Sequence, residues 1–281
     1  MFKVSNLTYK YDKKNKAINN ISLDFSKGNM IGIIGANGSG KSTLFMNLMG
    51  ILKPYEGKVF YNNKELNYKK KGLYDLRKEV GMVFQDPDKQ IFYSRVYDDV
   101  AFSLRNIGIE EAEINKRVHN ALNLVNAIDL IDKPVHFLSY GQKKRVAIAS
   151  VIAMENKVIL LDEPTAGLDP ESTKAMVKIL KDLCLKGIKI GISSHDMDLI
   201  YEICDYIYVL NKGNMVIEGE CIEVFKKSEI MQEVGLNIPW LVKVHKNMHL
   251  PLFKKEEELY DYFSTLDEYL LLKYSLSIKK S

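Results

Sequence analysis

The nine residues Gly35-Ala36-Asn37-Gly38-Ser39-Gly40-Lys41-Ser42-Thr43 constrain this chain more than any other stretch. They follow the apolar run Met30–Ile34, which reads as a buried strand, and lead into a helical stretch ending near Gly50. A glycine-rich turn of the form G-x4-G-K-[ST] between strand and helix lets successive backbone N–H groups face the β- and γ-phosphates of a nucleotide. The helix N-terminus adds partial positive charge. Lys41 supplies a flexible point charge for the β/γ oxygens, and the Ser42 hydroxyl supplies a ligand for Mg²⁺. A glycine turn that simply caps a helix is the plainer alternative.

A second stretch completes the chemistry. Val158-Ile159-Leu160-Leu161 reads as a strand buried in a sheet, and Asp162-Glu163 end it. Ligands of parallel sheets bind at the carboxyl ends of the strands. Asp162 is therefore expected to hold Mg²⁺ through water, and Glu163 to polarise an attacking water.

Around these motifs the chain alternates. Residues 3–34 read as β-rich, broken at Asp12–Asn15 and Ser26–Asn29, and Gly57–Leu66 reads as a strand pair. From about Lys89 to Asn156 the pattern is helical, with Glu110–Leu124 and Gly141–Met154 the clearest segments. Strands are expected at Lys157–Leu161, Ile188–Ile192 and Tyr206–Leu210, separated by helices at Ser172–Leu185 and Met197–Ile203. That alternation predicts an α/β chain with a mostly parallel sheet. Beyond about Glu223 the reading changes: Leu259, Tyr262, Phe263, Leu266 and Leu270 fall at helical spacing between charges. Such a helix either packs on its own domain or serves as a dimerisation or docking element.

Composition narrows the partners. Forty Lys+Arg against 36 Asp+Glu leave a net charge of +4, far from the basic excess of a dedicated nucleic-acid binder. Three cysteines without CxxC spacing argue against a disulfide framework or a zinc site and suit a reducing cytosol. The start, MFKVSNLTYKYDKK, lacks the apolar core of a signal peptide, and no apolar run approaches the ~18 residues of a spanning helix. A soluble chain is expected. If it works at a membrane, another chain must supply the spans.

Leu138-Ser139-Tyr140-Gly141-Gln142, lying before Asp162, resembles the LSGGQ motif of the ATP-binding-cassette (ABC) ATPases. The similarity covers about residues 1–222. It implies a P-loop NTPase core with an antiparallel β subdomain, a helical subdomain at about 89–156, and a C-terminal extension at 223–281. It implies ATP and Mg²⁺ as ligands. Gln85 would be the lid-loop glutamine that senses Mg²⁺ and the attacking water. Ala166-Gly167-Leu168-Asp169 would be the loop that crosses a dimer interface. His195 would be the switch histidine at the γ-phosphate, and Tyr11 the aromatic stacked on adenine, with Tyr9 close enough to compete. Ser139 is an N-cap type at a helix start, where anions bind. In the family, Ser139, Gly141 and Gln142 would close on the partner's nucleotide, so that two ATP molecules join a head-to-tail dimer. Tyr140 departs from the pattern, which has glycine there; its ring either crowds the γ-phosphate or points away.

Gly81-Met82-Val83-Phe84-Gln85-Asp86-Pro87-Asp88-Lys89-Gln90 resembles the VFQxPDxQ form of the energy-coupling-factor (ECF) importers, cobalt importers included. Asp98–Phe102, Gln142–Ala149 and the C-terminal segment are similar to that group as well. The resemblance implies an ATP-hydrolysing subunit, peripheral on the cytoplasmic face, energising import of a metal ion such as cobalt or of a vitamin. Its partners would be integral membrane T and S components and a second ATPase, identical or paralogous, with no nucleic acid. The alternatives are an ATPase of another ABC importer or exporter, a soluble ABC protein acting on DNA or ribosomes, and a nucleotide switch without turnover. No coiled coil interrupts the chain and it holds one cassette, against the second; Glu163 and His195 argue against the third.

Overall fold

The computed structural model describes residues 1–12 and 15–265. The chain opens with β1 (Phe2–Lys10) and β2 (Lys16–Asp24), then β3 (Met30–Ile34), which runs through the phosphate loop into α1 (Lys41–Leu48). β4 (Glu56–Tyr61), β5 (Lys64–Glu65) and α2 (Lys70–Glu79) lead to β6 (Val80–Val83). Three helices follow: α3 (Val96–Asn106), α4 (Glu111–Leu124) and α5 (Tyr140–Ile152). The chain continues through β7 (Val158–Asp162), α6 (Pro170–Leu185), β8 (Lys189–Ser194), α7 (Met197–Ile203), β9 (Tyr206–Asn211) and β10 (Asn214–Glu220). The described part ends with α8 (Cys221–Lys226), α9 (Ser228–Glu233), α10 (Trp240–Met248) and a helical segment at 256–265. The architecture is the expected α/β one. α2 and β6 are elements that the sequence reading did not name.

The strands form two sheets. β2-β1-β4-β5 is antiparallel, and the second sheet runs β10-β9-β3-β8-β7-β6, parallel except at the β10 edge. Every residue of β3, β6 and β7 is buried. That is why these strands are continuous apolar runs: both faces of the parallel sheet are covered. Side chains alternate between two cores, as strand geometry requires. Ile31, Ile33, Val158 and Leu160 face the core shared with the antiparallel sheet and α1, while Met30, Ile34, Ile159 and Leu161 face the helical side.

Register sets up the site. Ile34 lies opposite Ser194, and Asp162 lies opposite Ser193. The next residues, Gly35, His195 and Glu163, therefore leave the sheet side by side at its carboxyl end.

The C-terminal extension shares the helical-side core. Val224, Phe225, Leu241, Val242, Phe253 and Leu259 are buried in that cluster, and Tyr262 packs against it. The Tyr201 hydroxyl donates to the Phe253 carbonyl at 3.0 Å. Of the two readings of the late apolar stripe, its described half thus follows the first: Leu259 and Tyr262 turn onto their own chain, and Phe263 is exposed. Leu266 and Leu270 lie outside the described residues.

Candidate active site

The phosphate loop closes tightly around the end of β3. Gly40 sits at φ +107°, where a Cβ would lie 2.6 Å from the Ala17 carbonyl oxygen; one on Gly35 would lie 2.3 Å from that of Leu210. Only glycine fits at these two positions. α1 starts at Lys41 without a side-chain cap, leaving its first N–H groups to a ligand. The Lys41 ammonium is buried and donates to the carbonyls of Gly35 at 2.8 Å and Ala36 at 3.2 Å. Burial pushes its pKa below the ordinary lysine value, and the charges of Glu163 and Asp162 pull it back up. The buried Ser39 hydroxyl makes no hydrogen bond within the described residues.

The acidic side of the site hangs on Ser193, which is fully buried in β8. Its hydroxyl donates to the Asp162 carboxylate and accepts from the Glu163 N–H at 3.1 Å. Glu163 stands just past the strand at φ +49°, a conformation uncommon for a residue with a side chain. Further bonds hold it there: its N–H also donates to the Ser193 carbonyl, and its own carbonyl accepts from Lys144 at 2.6 Å and from the Ala166 N–H at 3.2 Å. Its carboxylate lies 3.9 Å from the Lys41 ammonium and 2.8 Å from Nδ1 of His195. The carboxylate side chain is 6% exposed and the imidazole 61%.

Tyr11, the loop residues Asn37 through Thr43, Gln85, Asp162 and Glu163 line one cavity of about 470 Å³. Tyr11 is exposed at its mouth, its hydroxyl 3.1 Å from that of Thr43. Tyr9 instead packs against the core of the antiparallel sheet, edge-on to Tyr11. The donor set around the cavity suits a magnesium nucleotide. Ser42, Asp162 and Gln85 offer only oxygens to a hard cation, which commonly uses one or two carboxylates together with phosphate oxygens. The glycine cradle and the unpartnered Ser39 hydroxyl leave room and hydrogen-bonding capacity for phosphate.

Ser139, Gly141, Gln142 and Asp169 stand apart from this cavity. Ser139 caps α5: its hydroxyl accepts from the Gln142 N–H, and the Gln142 side chain accepts from the Ser139 N–H at 2.9 Å. Asp169 caps α6: its carboxylate accepts from the Ser172 N–H at 2.9 Å and from the Ser172 hydroxyl at 2.6 Å. The Tyr140 ring packs toward its own chain, near Gly167, and its hydroxyl donates to the Gln85 carbonyl at 3.0 Å.

The sequence profile of the ABC transporter family matches residues 18–166, more than half of the chain. The chain belongs to the ABC transporter family. It is an ATPase coupled to transport. It is 48% identical over 260 residues to the cobalt import ATP-binding protein CbiO of Salmonella typhimurium, covering 92% of this chain and 96% of that protein. With the energy-coupling factor transporter ATP-binding protein EcfA3 of Clostridium perfringens it shares 45% identity over 240 residues, 85% and 84% of the two chains. The solved structure of CbiO1 from Clostridium perfringens, part of the CbiONQ ABC transporter complex, superposes with a TM-score of 0.75 at 44% identity. It covers 87% of this chain and 98% of that one.

Two features of this ABC ATPase escaped the sequence reading. Ser193 is not among the residues the sequence singles out, although it bonds both acids. Lys144 was read only as part of a resemblance. It is fully buried, and its spacing to Ala147, Ile148 and Val151 put it on the buried face of α5. A lysine on an apolar stripe was the available signal.

Proposed function

We propose that this chain is the ATP-hydrolysing subunit of an ECF-type importer for a metal ion such as cobalt or for a vitamin. One observation carries the catalytic part: the buried Glu163 carboxylate faces the phosphate loop, hydrogen-bonded by His195 and near Lys41. In this reading Lys41 and the loop N–H groups bind the β- and γ-phosphates of ATP. Tyr11 stacks on the adenine. Mg²⁺, when bound, neutralises charge on the phosphate oxygens and is held by Ser42, Asp162 and Gln85. Glu163 accepts a proton from the attacking water, which Gln85 orients, and His195 fixes the direction of the Glu163 carboxylate beside the γ-phosphate. Catalysis of this kind is mainly positioning and electrostatic stabilisation.

Ser139, Gly141, Gln142 and Asp169 lie off the chain's own cavity, which supports a role toward a second copy or a paralogue. The two ATP sites are then composite, and ATP binding closes the dimer. No helix among the described residues is long and apolar enough to cross a membrane. The T and S components would supply the spans, with this chain docked on their cytoplasmic side. Tyr93 and Phe102, rings 5.3 Å apart, and the neighbouring Phe92 are exposed beyond the Gln85 loop and offer such a partner an apolar surface.

Purification of the full-length chain from native membranes, with identification of co-purifying proteins and bound ligand, tests this reading. Recovery with T and S components and a second ATPase is the expected result. Recovery with exporter subunits or with ribosomes would contradict it.

A further inference from the structure

Position 140, where the family pattern carries glycine, holds a tyrosine that bridges three separate pieces of the chain. Its hydroxyl donates to the Gln85 carbonyl at 3.0 Å. Its ring lies against Gly167, where an added Cβ would come within 3.1 Å of the ring edge. One turn along α5, the Lys144 ammonium stands 5.5 Å from the ring centroid. That ammonium donates to the carbonyls of Glu163 at 2.6 Å and Ala166 at 2.9 Å, and among the described residues no carboxylate lies within ion-pair distance of it. An ammonium buried without a directly paired carboxylate is costly, and the two carbonyls, with the nearby charges of Glu163, Asp162 and Asp86, offset that cost. Two more bonds tie the same helix to the Gln85 loop: Lys143 pairs with Asp88 at 2.7 Å, and the Gln90 amide donates to the Ala147 carbonyl at 3.1 Å.

We propose that Tyr140, with Lys144 beside it, is a positioning residue that locks the Gln85 loop and the 163–168 loop to the start of α5. The surface that meets the partner's nucleotide, at Ser139, then moves as one body with Gln85 and Glu163 at the chain's own nucleotide. Closure at one composite site sets the geometry of the other, so the two hydrolysis events are coupled. A glycine at this position could make neither the hydroxyl bond nor the ring contact. Tyr140 touches the Gln85 backbone and does not line the cavity, so ATP binding itself should not depend on it. This inference rests on the composite-site reading above.

Steady-state ATP hydrolysis by the full-length chain provides the test, with Tyr140→Phe, Tyr140→Gly and Glu163→Gln compared to wild type. Tyr140→Phe keeps the ring and removes only the hydroxyl. Its kcat should fall about 2- to 12-fold, the rate equivalent of one hydrogen bond's net worth. Its KM for ATP should stay unchanged, while its Hill coefficient for ATP falls toward one. Tyr140→Gly should change in the same direction by more. A merely structural role would lower the melting temperature without moving the Hill coefficient. Wild-type kcat and Hill coefficient in Tyr140→Phe would overturn the proposal, even if Tyr140→Gly were impaired, because the lock runs through the hydroxyl. Inactive Glu163→Gln beside unaffected Tyr140 variants would overturn the lock alone. Normal hydrolysis by Glu163→Gln would overturn the catalytic reading and the lock together.

Discussion

Nδ1 of His195 and Oε2 of Glu163 stand 2.8 Å apart, an exposed ring bonded to a buried carboxylate at the mouth of the phosphate loop. The contact joins the ends of β7 and β8, which the parallel register already places side by side. The remaining contacts tie this pair to Lys41 and Ser193.

Lys41→Ala should cost at least about tenfold in ATP affinity, the scale of losing hydrogen bonds to a charged group. Equilibrium binding of a fluorescent ATP analogue, measured with Mg²⁺, checks this. Near-normal affinity would remove Lys41 from the phosphates.

Tyr11→Ala should weaken ATP by about 1–3 kcal/mol and leave inorganic triphosphate unaffected, since stacking acts only on the base. Titration calorimetry with both ligands separates the effects. A loss at Tyr9→Ala instead would move the stacking residue by two positions.

Phe253→Ala should destabilise the chain by about 3–5 kcal/mol, the usual range for truncating a buried aromatic. Phe253 packs between the cassette core and Tyr262, and its carbonyl holds Tyr201. Urea unfolding gives the stability, and sedimentation gives the oligomeric state, which should not change. Unchanged stability with weakened self-association would return the extension to a dimerisation role.

Burial holds the Lys144 pKa down to about 8, against an ordinary value of 10.5. Between these values the unfolded chain binds more protons than the folded one, so stability rises with pH across that window. Relative to Lys144→Gln, the wild type should therefore gain up to ~1.4 kcal/mol per pH unit between about pH 8 and 10.5. Urea unfolding of both proteins across that range measures the difference. A flat or falling difference would contradict a Lys144 pKa held down by burial.

The glycine loop and the Asp162-Glu163 strand end were legible because each is local: a strand, a turn and the next few residues carry them. Strand alternation places both at the carboxyl end of one parallel sheet, whereas the order β3-β8-β7 that spaces them is set by long-range pairing. What stayed hidden depends on long-range contacts. Lys144 meets the carbonyls of Glu163 and Ala166 at separations of 19 and 22 residues, and no local pattern encodes that. Tyr140 and Gln85 are 55 residues apart, so the direction of the ring could not be read in advance. α2 was missed because Lys70, Lys71, Arg77 and Lys78 surround a single buried residue, Leu76. β6 was missed because four residues show no usable period, and its strand character comes from pairing with β7. Helical spacing identified the segment at 256–265, but spacing alone does not say which surface buries the stripe.

Single-turnover hydrolysis of Mg·ATP by Glu163→Gln tests the central claim most directly. The variant should bind Mg·ATP as wild type does and hydrolyse it at least ~10²-fold more slowly, the usual scale for losing a positioned general base. Because bound ATP then persists, a nucleotide-joined dimer should accumulate on gel filtration. Hydrolysis at the wild-type rate, with no dimer accumulating, would contradict the account.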